Sequence, residues 1–225
     1  MGIPRAFAAM VGVVLMLCVL AVAPALSMGQ NGGIRLLLHV EEADIPSGGR
    51  VVDNPCLALP PITSAEDLVA DYDGDADTVM VWVYLHHPRG FEVRGLGFGI
   101  EYEGLRVVTS GSCAPQIWQE EESMGKWAQS GSEIAFTWGY SDFPTGQLVA
   151  LGWFVLAREE CDAYFSVFEG TSGICGMVAD TNTPPKRDYF WAYGKIGFGA
   201  IPGELPLAGP AEISNSWGAV TITAQ

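Results

Sequence analysis

The sequence predicts an all-β chain, an antiparallel β-sandwich preceded by a secretory signal peptide. Three observations carry this expectation. Short segments alternate between apolar and polar or small residues with period two; Gly, Pro, Asp or Ser bounds each of them; and helical periodicity is nearly absent. The chain is 49% hydrophobic and holds seven tryptophans among its 225 residues, enough to build a core and too apolar for a disordered chain.

The elements follow in order. "MGIPRAF" carries one charge, Arg5, and leads into the apolar run "AAMVGVVLMLCVLAV"; "APALS" then places small residues at Ala25 and Ser27. This is the pattern of a signal peptide over residues 1–27, cleaved on export. After the flexible "MGQNGG", "IRLLLHVEEA" reads as a first strand, and the turn-rich "DIPSGGRVVDNPCLALPPITSAEDL" reads as loop with short edge pieces. From Thr78 the alternation is clear: Val79, Val81, Val83 and Leu85 share one face, and Met80, Trp82, Tyr84 and His86 the other. In "EVRGLGFGIEYEGLRVVTSG", Leu96, Phe98, Ile100 and Tyr102 alternate with Gly95, Gly97, Gly99 and Glu101. "SEIAFTWGY", "GQLVALGWFVLA", "AYFSVFE" and "YFWAYGKIGFG" complete a sandwich domain over residues 33–200. "SAEDLV" and "PQIWQEEESMGKW" are the places for a short helical turn. "AIPGELPLAGP" begins a Pro/Gly linker and strand-like tail over residues 201–225.

Two of these stretches carry a family resemblance. "DTVMVWVYLHHPRGFEVRGLGFGIEYEGLRVVTSG" resembles the opening of a cohesin-type domain, within the wider group of cohesin and carbohydrate-binding β-sandwiches. The shared features are an alternating strand, a short loop, a V-x-G-x-G-F-x-I-x-Y strand and a Gly-Leu-x-Val continuation. "SEIAFTWGYSDFPTGQLVALGWFVLA" resembles the later strand pair of such domains. The resemblance covers about residues 77–170 and implies a cohesin-like jelly roll that binds a partner, such as a dockerin, and carries no catalytic signature.

Charge narrows the function class. The formal net charge is -15, and loss of residues 1–27 removes Arg5 but no acid, leaving 10 basic against 26 acidic residues. Nucleic acid and anionic membrane surfaces are disfavoured, because both need cationic side chains in quantity. Cations, neutral glycans and basic protein surfaces remain open.

Four constellations bear on chemistry. In "ADYDGDADTVMVWVYL", Asp71, Asp73, Asp75 and Asp77 recur at every second residue. Extended, the outer two would lie about 20 Å apart, so the loop must curl about Gly74 to hold one calcium ion. Such a run resembles known calcium loops; the alternative is a solvated acidic turn guarding the strand that follows. Aromatic rings form the second group. Trp82 and Tyr84, with Trp138 and Tyr140 of "AFTWGY", are candidates for an exposed ligand-binding platform, and any of them serves equally as core. The bare strip of Gly97 and Gly99 offers a surface for a ring to lie on.

Cysteines form the third group. Cys56, Cys113, Cys161 and Cys175 are an even count in an exported chain and read as two disulfides, with three pairings open. "CDAYFSVFEGTSGIC" favours Cys161–Cys175, which leaves Cys56–Cys113. Histidines are the fourth: His39 stands alone, and the adjacent His86 and His87 point to opposite faces of a regular strand, so they share a metal poorly. No nucleophile elbow, zinc-protease motif or phosphate loop appears. The expected function is a secreted non-catalytic binding or adhesion module, extracellular or periplasmic, that recognises a protein or glycan. A carbohydrate-binding module is the nearest alternative and a secreted glycan-active enzyme the more remote one.

Overall fold

The structure, a computed structural model, describes residues 32–43, 55–58, 62–113, 117–119, 129–138, 144–171 and 176–207. The expected signal peptide, the tail after residue 207, Trp127, Tyr140 and Cys175 lie outside the described residues. The described strands are, in chain order, β1 (Arg35–Glu42), β2 (Asp71–Tyr72), β3 (Thr78–Glu103), β4 (Leu105–Ser112), β5 (Ile117–Gln119), β6 (Ser132–Trp138), β7 (Thr145–Arg158), β8 (Ala163–Phe168), β9 (Met177–Asp180), β10 (Arg187–Tyr189), β11 (Ala192–Tyr193) and β12 (Lys195–Phe198). The all-β expectation is met, and "SAEDLV" holds a 3-10 turn, Ala65–Asp67, capped by Ser64.

β3 organises the fold. Its first half pairs with β1 and β7, whereas its second half pairs with β6 on one side and with β9 and then β8 on the other. One strand therefore belongs to two sheets and curls one into the other. The turning point is the register shift between His86 and Phe91. Pro88 cannot donate to a ladder there, and Gly90 takes φ 85, which favours glycine. His87, buried at this bend, bridges the chain: Nε2 lies 2.9 Å from the Gly32 carbonyl, and Nδ1 accepts from the Arg89 N–H at 3.2 Å.

The first sheet runs β11-β1-β3-β7-β4; in the second, β5 extends β6, β10 extends β9, and β12 and then β2 extend β8. Only the β1–β11 and β2–β12 pairs are parallel among the described residues. Between the sheets lies the main core, built from Leu36, Leu38, Val79, Val81, Val83 and Leu85 on one side and Phe98, Ile100, Phe136, Phe165 and Phe198 on the other. Phe154 meets Phe165 with ring centroids 4.9 Å apart, and Phe98 stacks on Phe136 at 5.7 Å. These are the faces that the period-two pattern assigns to the interior.

A second apolar cluster was not expected. The other face of the first sheet carries Leu37, Trp82, Tyr84, Trp153 and Val155, all buried, with Ala65 and Leu68 of the segment before β2 packed over them. A disulfide between Cys56 and Cys113, Cα atoms 5.1 Å apart, ties that segment to the end of β4. The first sheet is thus covered on both faces.

Candidate functional site

The structure places the predicted platform rings in two different interiors. Trp82, Tyr84 and Trp138 are only 1%, 3% and 5% exposed, so they form no open platform. Trp82 and Tyr84 lie beneath the Ala65–Leu68 segment, where the Trp82 indole N–H donates to Glu41 Oε1 at 2.7 Å. Burial, then the nearby Glu41 carboxylate, pushes the Tyr84 hydroxyl up to about 12. Trp138 and Phe136 turn the other way, into the main core, where their rings stack at 6.3 Å.

The aspartates do not gather. Asp71 lies in β2, and its Oδ1 accepts from the Gly203 N–H at 2.7 Å. Asp73, Asp75 and Asp77 are exposed, and among the described residues no three His, Cys, Asp or Glu side chains are grouped to hold a metal ion. The cation that enters this loop is Arg158, whose Nη1 donates to the Gly74 carbonyl at 2.9 Å and whose Nη2 donates to the Cys161 carbonyl at 3.2 Å. Its guanidinium sits over the Phe198 ring, 5.7 Å from the centroid. The calcium expectation therefore rests on spacing alone. Of the two expected disulfides, Cys56–Cys113 is formed; Cys161 is an exposed free thiol, and its expected partner Cys175 is outside the described residues.

Among the described residues, nothing covers the outer face of the second sheet at this point. A single register row crosses it: Arg187 on β10, Ala179 on β9, Gly95 on β3, Thr137 on β6 and Trp118 on β5. Residues directly opposed in antiparallel strands project to one face, so the small side chains in the middle of this row make a trough. Gly95, Ala135, Thr137, Met177, Ala179 and Arg187 border a shallow groove of about 190 Å³. A methyl group at Gly95 would meet the Phe136 carbonyl at 3.2 Å, so the floor is tight as well as bare. Further along the same strand the strip is filled from within, because the Phe168 ring lies over Gly99.

The rim is built by a locked turn. Asp180 is fully buried, and its carboxylate accepts from the backbone N–H of Asn182 at 3.1 Å, from the Asn182 side-chain amide and from the Lys186 N–H at 2.7 Å. With its acceptors used inside the turn, Asp180 fixes the start of β10 and hence Arg187. Two residues on, Tyr189 pairs with Met177 and is 65% exposed; Phe190 is buried, and Trp191 is again exposed at 47%. Tyr189, Met177 and Arg187 escaped the sequence reading, although the alternation in "RDYFWAY" puts Tyr189 and Trp191 on the side opposite Phe190.

No family model and no curated protein matches the chain. Among solved structures it is similar to a cohesin module from a family 33 glycoside hydrolase of Clostridium perfringens, at 6% identity and TM-score 0.39, covering 58% of this chain and 90% of that one. It is also similar to the seventh ScaB type I cohesin from Pseudobacteroides cellulosolvens, at 10% identity and TM-score 0.36, covering 59% of this chain and 89% of that one.

Proposed function

We propose that this chain is a non-catalytic binding or adhesion module acting outside the cell, and that it holds its protein or glycan partner on the outer face of the second sheet. The supporting observation is the groove itself. Its floor of Gly95, Ala135 and Ala179 presents backbone and methyl groups, and Met177 and Arg187 stand at its border with the exposed Tyr189 alongside. A flat, mostly apolar trough with an aromatic ring and a guanidinium at its edge suits a sugar, which stacks on the ring and accepts hydrogen bonds from Arg, or a partner's apolar anchor, which packs on the ring and the methyl groups. Arg187 lies in a strongly acidic chain, so the groove is a local relief from the prevailing negative field.

The test is capture of a glycan array and of an extracellular protein panel by the mature chain, repeated with Tyr189→Ala and Arg187→Gln. Both side chains are exposed, so the melting temperature should move little while capture falls at least tenfold. Undiminished capture by both variants would move the contact surface elsewhere. Release of labelled sugar from any captured polysaccharide would replace the binding reading with an enzymatic one.

A further inference from the structure

Segment 62–70 covers the outer face of the first sheet, and its attachment includes a titratable group. Ala65 and Leu68 pack on Leu37, Trp82, Tyr84 and Trp153. Val69 then makes two bonds to β1: its carbonyl accepts from the Val40 N–H at 2.9 Å, and its own N–H donates to His39 Nδ1 at 2.9 Å. An imidazole nitrogen accepts only while it carries no proton. His39 is 7% exposed and stands in register with Trp82, which is itself opposite Trp153.

The surrounding charges are few. Glu41, on the same strand, is engaged by the Trp82 indole. Glu66 and Asp67 belong to the covering segment, and β7 presents Trp153 and Val155, which do not titrate. At the far end of this face Arg35 and His86 are directly opposed, and Arg35 Nε and His86 Nδ1 are both buried without a hydrogen-bond partner.

We propose that segment 62–70 is an acid-released strap, latched by the His39–Val69 hydrogen bond, which on opening uncovers the Trp82–Trp153 face of the first sheet. Protonation of Nδ1 sets one N–H against another, and the latch is lost. Burial holds the His39 imidazole down to about 4 in the closed state. A group depressed in this way binds its proton more readily once exposed, so the closed state is fully favoured above about pH 6.5 and loses ground as pH falls towards 4. The opening equilibrium should rise about tenfold per pH unit in that window, or roughly 20-fold at pH 5 relative to pH 7. His86 acts in the same direction, since burial and then Arg35 lower its pKa while Glu66 opposes them. The Cys56–Cys113 bond keeps the upstream end attached throughout.

Backbone amide exchange of the mature chain, corrected for intrinsic rates and compared at pH 7 and pH 5, tests this. The Val69 amide should lose roughly 20-fold in protection while the amides of β6 and β8 keep theirs, and an apolar dye should bind only at the lower pH. In His39→Asn the side-chain oxygen accepts in place of Nδ1 without titrating, so Val69 protection should become independent of pH. Constant protection in the wild type, equal loss in His39→Asn, or equal loss across β6 and β8 would each overturn the strap. Should the variant not fold, the wild-type His39 titration decides: a midpoint near 4 with Val69 protection falling between about pH 6.5 and 4 upholds the latch, and a midpoint near 6.5 removes it.

Discussion

Trp82 has a single decisive property, its burial. It lies 1% exposed between Trp153 and His39 in one register row, with its indole N–H satisfied by Glu41 at 2.7 Å. Trp82→Ala should therefore cost about 3–5 kcal/mol in denaturant unfolding, through lost burial and the cavity left behind. It would also leave Glu41 without its partner. A variant that unfolds like the wild type would return Trp82 to the surface. At this scale the sequence was half legible. Alternation assigned Trp82 correctly to the face opposite Val81 and Val83, but it could not say that this face is covered too, because the cover arrives from outside the strand. The same limit hid the groove: a bare strip was readable at Gly97 and Gly99, but the groove lies at Gly95, and its rim, Arg187 and Tyr189, is brought there by strand pairing across more than 80 residues.

At the scale of elements, the segment over the first sheet has little regular structure, and its place depends on its ties. Cys56 and Cys113 are 57 residues apart, and a crosslink closing a loop of that size stabilises by about 4 kcal/mol in the chain-entropy account. Replacing both with serine should lower stability by that order in denaturant. Because Cys113 packs at the margin of the second cluster, Trp82 emission should also shift towards that of a solvated indole. An unchanged spectrum together with unchanged stability would show that apolar packing alone holds the segment. The strands themselves were largely readable, since β1, β6 and β8 fall within segments bounded by turn residues in the sequence and β7 overruns its segment by one residue at each end. The merger of two expected strands into β3 was not. A Pro-Arg-Gly stretch after His87 reads as a break, and here it is absorbed as a bend because β1 stops pairing there and the β7 ladder is interrupted before it resumes at Phe91 and Glu92.

The whole molecule is acidic, with 26 carboxylate residues against 11 basic ones, and this charge bears on the aspartate-rich loop. The ion pair of Arg106 with Glu159 at 2.9 Å is exposed on both sides, and such pairs contribute about 0–1 kcal/mol. Pairs of this kind leave self-repulsion for dissolved ions to screen. Screening lengths fall from about 30 Å at 0.01 M to about 10 Å at 0.1 M salt, so the melting temperature should rise over that range of sodium chloride. A gain of 1 kcal/mol corresponds to about 2–4 °C for a domain of this size. Calcium chloride at matched ionic strength separates screening from ligation. Asp71 is committed to the Gly203 turn, and Arg158 already occupies the loop through the Gly74 carbonyl, so the two salts should raise the melting temperature alike. An excess from calcium that Asp73→Asn with Asp75→Asn abolishes would mean that the loop leaves this arrangement and curls around the ion, as the spacing of its aspartates suggests.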